Sequence, residues 1–433
     1  MTATRMVVLG GGFGGIEAMR VLERHFRRRE DVDLLLISDQ NYLLFTPLLP
    51  QIASSTVEPR HIIQPIRDIR DRRRFRFLRD RVLGVDLRER RVHLAEGDVA
   101  YDFLVLALGG TTQTYGVPGV EEHGFFFKGL EDAVALRDQV IDLAEHADHA
   151  RDSLRRRELL TMAVVGGGYT GVELIAELHD FFHRYVVPRY RGIEAGDPRL
   201  LLLEASGEIL SGVHPILGRR ARAKLQREGI EVRLGAKVTR VEATGVEING
   251  GHIERTGLVV WVAGVKGHPV LENLGLPLDR AGRVVVNRFL EVPGFPEVCG
   301  VGDTVAVAGH PEASVPIIPA AIAHGRLAAR NIVSRLEGRP PVPIEFSPQG
   351  MLVSLGMNDA VVDLMGFKFS GYFAWLFWNA LHLYKLVGFR KQLQVALDWA
   401  LTQVFLRDSA IIRRPQRCPI CAGAKSGADG TRS

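Results

Sequence analysis

The sequence predicts an α/β chain in which one strand, glycine turn, helix and strand unit occurs twice, the second copy nested in the domain begun by the first. Two observations carry this. An apolar run at residues 6–9 leads into Gly10-Gly-Gly-Phe-Gly-Gly15, a helical pattern over about 16–26 and a second apolar run at 32–37. The same order returns as an apolar run at 162–165, Gly166-Gly-Gly-Tyr-Thr-Gly171, a helix over about 172–182 and a strand at 200–203. Parallel strands covered on both faces read as such unbroken apolar runs, and the recurrence is an internal repeat. A third observation, Val298-Cys-Gly-Val-Gly-Asp303 at a strand end, marks the return of the chain to its first domain.

Length and composition agree with that layout. At 433 residues, 46% apolar and 24% charged, the chain can bury two cores and is too polar for a bundle of membrane spans. Cys299, Cys418 and Cys421 cannot make a disulfide framework, and no signal-peptide pattern precedes the first strand, so a cytoplasmic compartment is expected. Cys299 reads as a small buried strand residue. Cys418-Pro-Ile-Cys421 has thioredoxin-like spacing, or is half of a zinc site without a second pair, and no metal is expected. The pI of 9.2 invites an anionic partner. Residues 67–81 hold eight arginines, but these alternate with Asp68, Asp71, Asp80, Phe75 and Phe77, as in a solvated helix running into a strand, so no nucleic acid is expected. Residues 366–417 carry eight basic residues against Asp398 and Asp408, and there the charge sits among tryptophans.

Between the repeats the pattern predicts short strands of hairpin character at 90–94 and 101–106 and a helix over 130–147; strands resume at 231–234 and 258–262. Two amphipathic helices follow near the C-terminus. The first, about 370–387, sets Asn379, His382 and Lys385 on one stripe amid Tyr372, Phe373, Trp375, Leu376, Phe377 and Trp378. The second, about 390–406, aligns Lys391, Gln394, Asp398 and Thr402 opposite Leu393, Leu397, Ala400 and Val404. A membrane span needs roughly 20 mostly apolar residues. These helices, broken by charge at helical spacing, fit an interfacial anchor on an anionic membrane surface instead. The tail at 414–433 is expected to be disordered.

The glycine turns carry the chemistry. Gly10 suits the tight turn, Gly12 lets backbone approach a pyrophosphate, and Gly15 permits close helix packing; Gly166, Gly168 and Gly171 repeat the arrangement. Such a fingerprint is completed by an acid at the end of the second strand that accepts a ribose hydroxyl. Glu204 fills that place in the second copy, and its carboxylate opposes a 2′-phosphate, which predicts NADH over NADPH. In the first copy the strand ends Ile37-Ser38-Asp39, and Asp39 is the candidate. Asp303, directly after Gly302, can hydrogen-bond a flavin ribityl chain.

At this point the chain resembles the type II NADH dehydrogenases, the single-subunit, non-pumping NADH:quinone oxidoreductases among flavoproteins with two dinucleotide-binding domains. The resemblance spans about residues 5–413. It rests on both fingerprints, the run from Asn41 through Thr46-Pro47 to Gln51, Tyr101 to Gly109, Val172-Glu-Leu174, Trp261-Val-Ala-Gly-Val265, Gly302-Asp303, and the C-terminal Ala374-Trp-Leu-Phe-Trp378, Gly388-Phe-Arg390 and Asp398-Trp399. It implies FAD on the first domain at Gly10, Gly12, Phe13, Gly14, Gly15, Ser38, Asp39 and Gly109, with Thr46 and Pro47 beside the isoalloxazine and Gly302 and Asp303 at the ribityl chain. It implies NADH on the second at Gly166, Gly168, Gly171, Glu204 and Gly264. Glu173 matches the family glutamate near nicotinamide and flavin, although a carboxylate early in a helix also suits the helix dipole. Two departures stand out. Ser38 occupies the usual place of the ribose-binding acid. Ile318-Pro319 and His324-Gly325 replace a glutamine-bearing segment at the quinone end, where His324 becomes the substitute polar and catalytic group.

The expected architecture is therefore two Rossmann-like dinucleotide-binding domains, one inserted in the other, plus a C-terminal amphipathic-helix membrane anchor. Its bounds are 1–125 and 275–345 for FAD, 158–274 for NADH and 346–413 for the anchor. The expected partners are a membrane quinone, menaquinone or ubiquinone, and the cytoplasmic face of the membrane, to which the enzyme is peripheral; the resemblance also admits a homodimer. The alternatives are a flavoprotein reductase with a soluble acceptor and a nucleotide-binding regulator without turnover. Sulfide:quinone and disulfide reductases are disfavoured because no cysteine precedes Cys299.

Overall fold

The computed structural model describes residues 3–69, 75–347, 350–405, 407, 410 and 411; the arginine run at 70–74, Cys418 and Cys421 and the tail expected at 414–433 lie outside them. Contacts divide the chain into two compact units. The first gathers the described residues of Met1–Leu44, Ile63–Thr111 and Val265–Pro348, and the second those of Phe45–Ile62, Thr112–Gly264 and Gln349–Ser433. The expected bounds gave Phe45–Ile62 to the first domain and treated the C-terminal region as separate, whereas both cluster with the second unit.

In the first unit a six-stranded sheet runs Glu291–Val292, Phe295–Gly300, Phe103–Leu106, Thr4–Leu9, Val32–Ser38, Arg76–Arg79, all parallel except the outermost pair. The central pairing sets Met6 beside Leu34 and Val8 beside Leu36, all four buried. Helix Phe13–His25 packs against helix Ile318–Leu336. Their crossing is tight because it is made of glycine: a methyl group on Gly325 would overlap the Gly14 carbonyl. The short strands expected at 90–94 and 101–106 do not pair with each other. Arg91–Leu94 lies between Val82–Asp86 and Gly97–Ala100 in a small antiparallel sheet, while Phe103–Leu106 joins the main sheet. The residues between them, too short to cross a sheet but rich in turn formers, supply an extra antiparallel strand.

The second unit repeats the scheme, with a parallel sheet ordered Phe125–Phe126, Leu258–Trp261, Thr161–Val165, Arg199–Glu204, Glu231–Leu234. An antiparallel sheet of Val238–Glu242, Gly245–Ile248 and His252–Arg255 closes one side through Val238, Val241, Val246 and Ile248, which share a core with Ala163, Leu201 and Trp261. In each main sheet the strand carrying the glycine turn has its sequence successor on one side and a later strand on the other. That reversal opens a crevice at the carboxyl ends of the strands.

The C-terminal part begins with a three-stranded antiparallel sheet, Gly350–Ser354, Ala360–Leu364 and Phe367–Ser370, followed by helices Tyr372–Lys385 and Phe389–Val404. Among the described residues no helix is long and apolar enough to cross a membrane. The helices are amphipathic in an inverted sense. Trp378 is buried with His382 stacked on it at 4.0 Å, and Val395 is buried, whereas Phe373, Tyr384, Phe389 and Val404 are each 78–81% exposed. The inward side of the second helix is polar. Asp398 accepts from His61 Nδ1 at 2.5 Å and from the Glu58 amide at 3.1 Å, Trp399 Nε1 donates to Gln51 at 2.8 Å, and Lys391 donates to the Arg60 carbonyl at 2.6 Å. This helix therefore grips Phe45–Ile62 by polar contacts and turns its leucines outward.

Candidate functional site

Each unit carries one glycine turn, and the two are alike in geometry. Gly10 has φ of +112° and Gly166 of +113°, values open to glycine but strained for other residues. A methyl group on either would run into backbone, of Ala107 for Gly10 and of Ala263 for Gly166. Gly15 and Gly171 approach the carbonyls of Gly10 and Gly166 so closely that neither tolerates a Cβ. Gly12 and Gly168 instead face open space, with nothing within 4 Å of where a methyl group would stand. They are the N-caps of helices Phe13–His25 and Tyr169–Phe181, with no side-chain cap and no acidic residue in the first turn. Uncapped amides at a positive helix end are suited to a pyrophosphate, so both turns fit a dinucleotide.

In the first unit Ser38 is buried, with its Oγ accepting weakly from the Gln40 amide at 3.4 Å, and Asp39 beside it is exposed. Gly109, at φ +71°, donates its amide to Thr304 Oγ1 at 2.9 Å, and Gly302, at φ +65°, donates to His324 Nδ1 at 3.2 Å. Asp303 is half-buried between these anchors. Phe13 and Gly14 open the fingerprint helix. His324 is 1% exposed. Burial pushes its pKa down to about 4, although the nearby Ala313 backbone and Asp303 act the other way. Nε2 is buried with no partner at hydrogen-bond geometry. At neutral pH the ring is therefore uncharged, and its Nδ1 accepts from the amide of the Gly302 turn. Cys299 is buried and its thiol is pushed up to about 12 by desolvation, as suits an inert core residue.

In the second unit Glu204 ends its strand with both oxygens fixed, Oε2 accepting from the Gly167 amide at 2.6 Å and Oε1 from Ser206 at 2.7 Å. A carboxylate has further lone pairs, so ribose hydroxyls can still be accepted. Gly264, φ +99°, lies in the segment after Leu258–Trp261 that also crowds Gly166. Thr46 and Pro47 begin a short 3-10 helix; Thr46 is exposed and Pro47 half-buried.

Glu173 sits on the fifth residue of helix Tyr169–Phe181, its Oε1 accepting from the Ser354 amide at 2.9 Å. The residue keeps some surface, but protein crowds its carboxyl on all sides. Desolvation raises its pKa to about 8, against smaller opposing effects of the Ser354 amide and the nearby Trp378 indole, with Glu177 adding to the rise. One turn on, buried Glu177 accepts from Ser54 Oγ at 2.7 Å and Thr56 Oγ1 at 3.2 Å. Burial raises it as well, countered chiefly by buried Arg407, which donates to the Ser54 carbonyl at 3.0 Å. Sequence reading missed Glu177, Ser54 and Arg407. Their only signal was an acid at i+4 from Glu173 on an otherwise apolar helix face. Among the described residues no group of three or more metal-ligating side chains occurs.

Comparison with known proteins bears on these sites. Residues 4–325 match the family described as pyridine nucleotide-disulphide oxidoreductase, and 349–408 match the NDH2 C-terminal domain. The type II NADH:quinone oxidoreductase Ndh of Mycobacterium tuberculosis is 34% identical over 92% of this chain and 88% of its own. Demethylphylloquinone reductase NdbB of Synechocystis is 31% identical over 91% and 95%. Among solved structures, NDH2 of Plasmodium falciparum in complex with NADH aligns with a TM-score of 0.85 at 20% identity, covering 94% of this chain and 99% of that one. The sulfide:quinone oxidoreductase of Aquifex aeolicus shares the fold with a TM-score of 0.73 at 20% identity, covering both chains fully.

Proposed function

The chain belongs to the type II NADH:quinone oxidoreductases, within the pyridine nucleotide-disulphide oxidoreductases, and on that footing we propose how its own residues perform the activity. It is an FAD-dependent enzyme that oxidises NADH and reduces a quinone without pumping protons. Hydride acceptance from NADH and onward electron transfer are the chemistry that bound FAD supplies. The observation that carries the reading is the pair of open, uncapped glycine turns, one per unit, each at a strand-order reversal.

Gly10, Gly12, Gly14 and Gly15, with Phe13, would hold the FAD pyrophosphate, Ser38 and Asp39 its ribose, and Gly109, Gly302 and Asp303 the ribityl end. Gly166, Gly168 and Gly171 hold the NADH pyrophosphate, Glu204 its ribose diol, and Gly264 lines the same crevice. Glu173 positions the nicotinamide and, below about pH 8, holds a proton on its carboxyl. The outward apolar faces of the two C-terminal helices, flanked by exposed Lys385 and Arg390, lie in an anionic leaflet on the cytoplasmic side, where the NADH pool is. Contiguous exposed apolar residues of this kind mark a contact surface.

The test is NADH oxidation in anionic proteoliposomes with menaquinone, ubiquinone or ferricyanide as acceptor. Quinone-dependent turnover that generates no transmembrane pH difference is the expected result. Turnover with ferricyanide and with neither quinone would replace the assignment by a soluble-acceptor reductase.

A further inference from the structure

One exposed aromatic residue of the second unit is held in a conformation that its surroundings do not reward. Tyr115 has φ of +53° and is 66% exposed. A bulky residue in the left-handed region is a true outlier, and such strain persists only where neighbouring structure imposes it. Glycine, the residue that adopts this conformation freely, occupies the next position, Gly116, at φ +67°.

The restraints are specific. The Tyr115 amide donates to Gln113 Oε1 at 3.1 Å, the Gln113 amide donates to the Gly264 carbonyl at 3.2 Å, and the Trp261 indole N–H donates to the Gln113 carbonyl at 2.8 Å. The loop is thereby stitched to the carboxyl end of strand Leu258–Trp261. Its product is the placement of one ring: a methyl group on Gly264 would come within 2.5 Å of the Tyr115 hydroxyl. The same strand end, at Val262 and Ala263, abuts Gly166. The Tyr115 hydroxyl therefore lies at the carboxyl end of this strand, which also abuts the Gly166 turn, at the strand-order reversal of the sheet.

We propose that Tyr115 is a nucleotide-contacting residue that covers the NADH crevice, its ring packing on the bound dinucleotide and its hydroxyl within reach of a ribose or amide group. The inference rests on the assignment of NADH to the Gly166 turn. Tyrosine suits the task, offering a rigid flat surface with one polar tip. Gly264 is held to glycine by its φ of +99°, and a methyl group there would also press on the Tyr115 hydroxyl.

Tyr115→Gly, Tyr115→Phe and Gly264→Ala, each loaded with FAD, separate contact from architecture. Glycine relieves the strained backbone, so the melting temperature should hold or rise, while KM for NADH and Kd for NAD+ by equilibrium titration should increase about three- to tenfold, the range of one lost aromatic contact. Turnover at saturating NADH should change little. Phenylalanine should recover most of the affinity, and Gly264→Ala should reproduce the loss with Tyr115 intact. A Tyr115→Gly protein with parental KM and Kd overturns the proposal while leaving the NADH assignment in place. A parent protein that fails to bind NADH or NAD+ overturns the assignment itself.

Discussion

Replacing Glu173 by glutamine should make the protein more stable, and only above a defined pH. The carboxyl titrates near 8 in the folded chain because desolvation penalises its charge, against an ordinary value of 4.5. Below pH 4.5 it is protonated folded and unfolded alike, and no penalty exists. Between 4.5 and about 8 the unfolded chain sheds the proton first, so stability falls with rising pH, and above about 8 the whole penalty is present. At roughly 1.4 kcal/mol per tenfold, the difference is about 5 kcal/mol, and partial exposure of the residue brings it to roughly 2–3 kcal/mol. Glutamine is neutral at every pH, keeps a carbonyl oxygen for the Ser354 amide and fills nearly the same volume. Thermal melts of parent and Glu173→Gln at equal flavin loading, from pH 5 to 9, should coincide at the acid end. They should separate to about 4–12 °C in favour of the variant at pH 8.5, taking roughly 2–4 °C per kcal/mol. Titrating groups other than Glu177, which acts on this carboxyl, are common to both proteins and cancel. Parallel curves, or a variant less stable at pH 8.5, would refute a desolvated carboxyl.

Three further outcomes follow from the geometry. Glu204→Gln should keep the hydrogen bond from the Gly167 amide but lose the charge that opposes a 2′-phosphate, narrowing the NADH to NADPH ratio of kcat/KM roughly tenfold, or about 1.4 kcal/mol; an unchanged ratio removes Glu204 from the ribose site. Leu393→Glu with Leu397→Glu, both at exposed positions, should leave the melting temperature unchanged and release the protein from anionic vesicles in a flotation assay, since each apolar side chain contributes about 1.5–3 kcal/mol when buried. Gly325→Ala should destabilise the first unit by about 1–3 kcal/mol through overlap with the Gly14 carbonyl and lower the retained flavin, whereas Gly196→Ala, with nothing within 4 Å, should be silent in both.

Local chain chemistry made much of this molecule readable. A strand of Met, Val and Leu followed by three spaced glycines has few ways to fold, and both copies do so with φ values one degree apart at Gly10 and Gly166. The acid at the end of the next strand is equally local, and Glu204 closes onto Gly167 as its position implies. The C-terminal helices were legible from their period, but periodicity is blind to direction: a stripe of leucines looks the same whether it meets a core or a lipid. Only the folded chain shows Asp398, Trp399 and Lys391 turned inward onto Phe45–Ile62 and the leucines turned out.

What tertiary structure decided are pairings across long stretches of chain, for which a single sequence has no period to read. Ser54 meets Glu177 across 123 residues, and Gln51 meets Trp399 across 348. His324 reads from the sequence as a polar group among small residues, Ala320, Ala321, Ala323 and Gly325. That same smallness lets helix Ile318–Leu336 approach the fingerprint helix at Gly325, enclosing the imidazole and removing its charge. Tyr115 is unremarked in the sequence, and it joins Gly264, a motif glycine, in one feature only when a loop and a strand end are stitched together. The sequence by itself determined the two glycine turns and their order, because backbone sterics act over a few residues. The protonation, burial and direction of the side chains around those turns came from the fold, because desolvation and packing depend on every atom that closes over a group, wherever it lies in the chain.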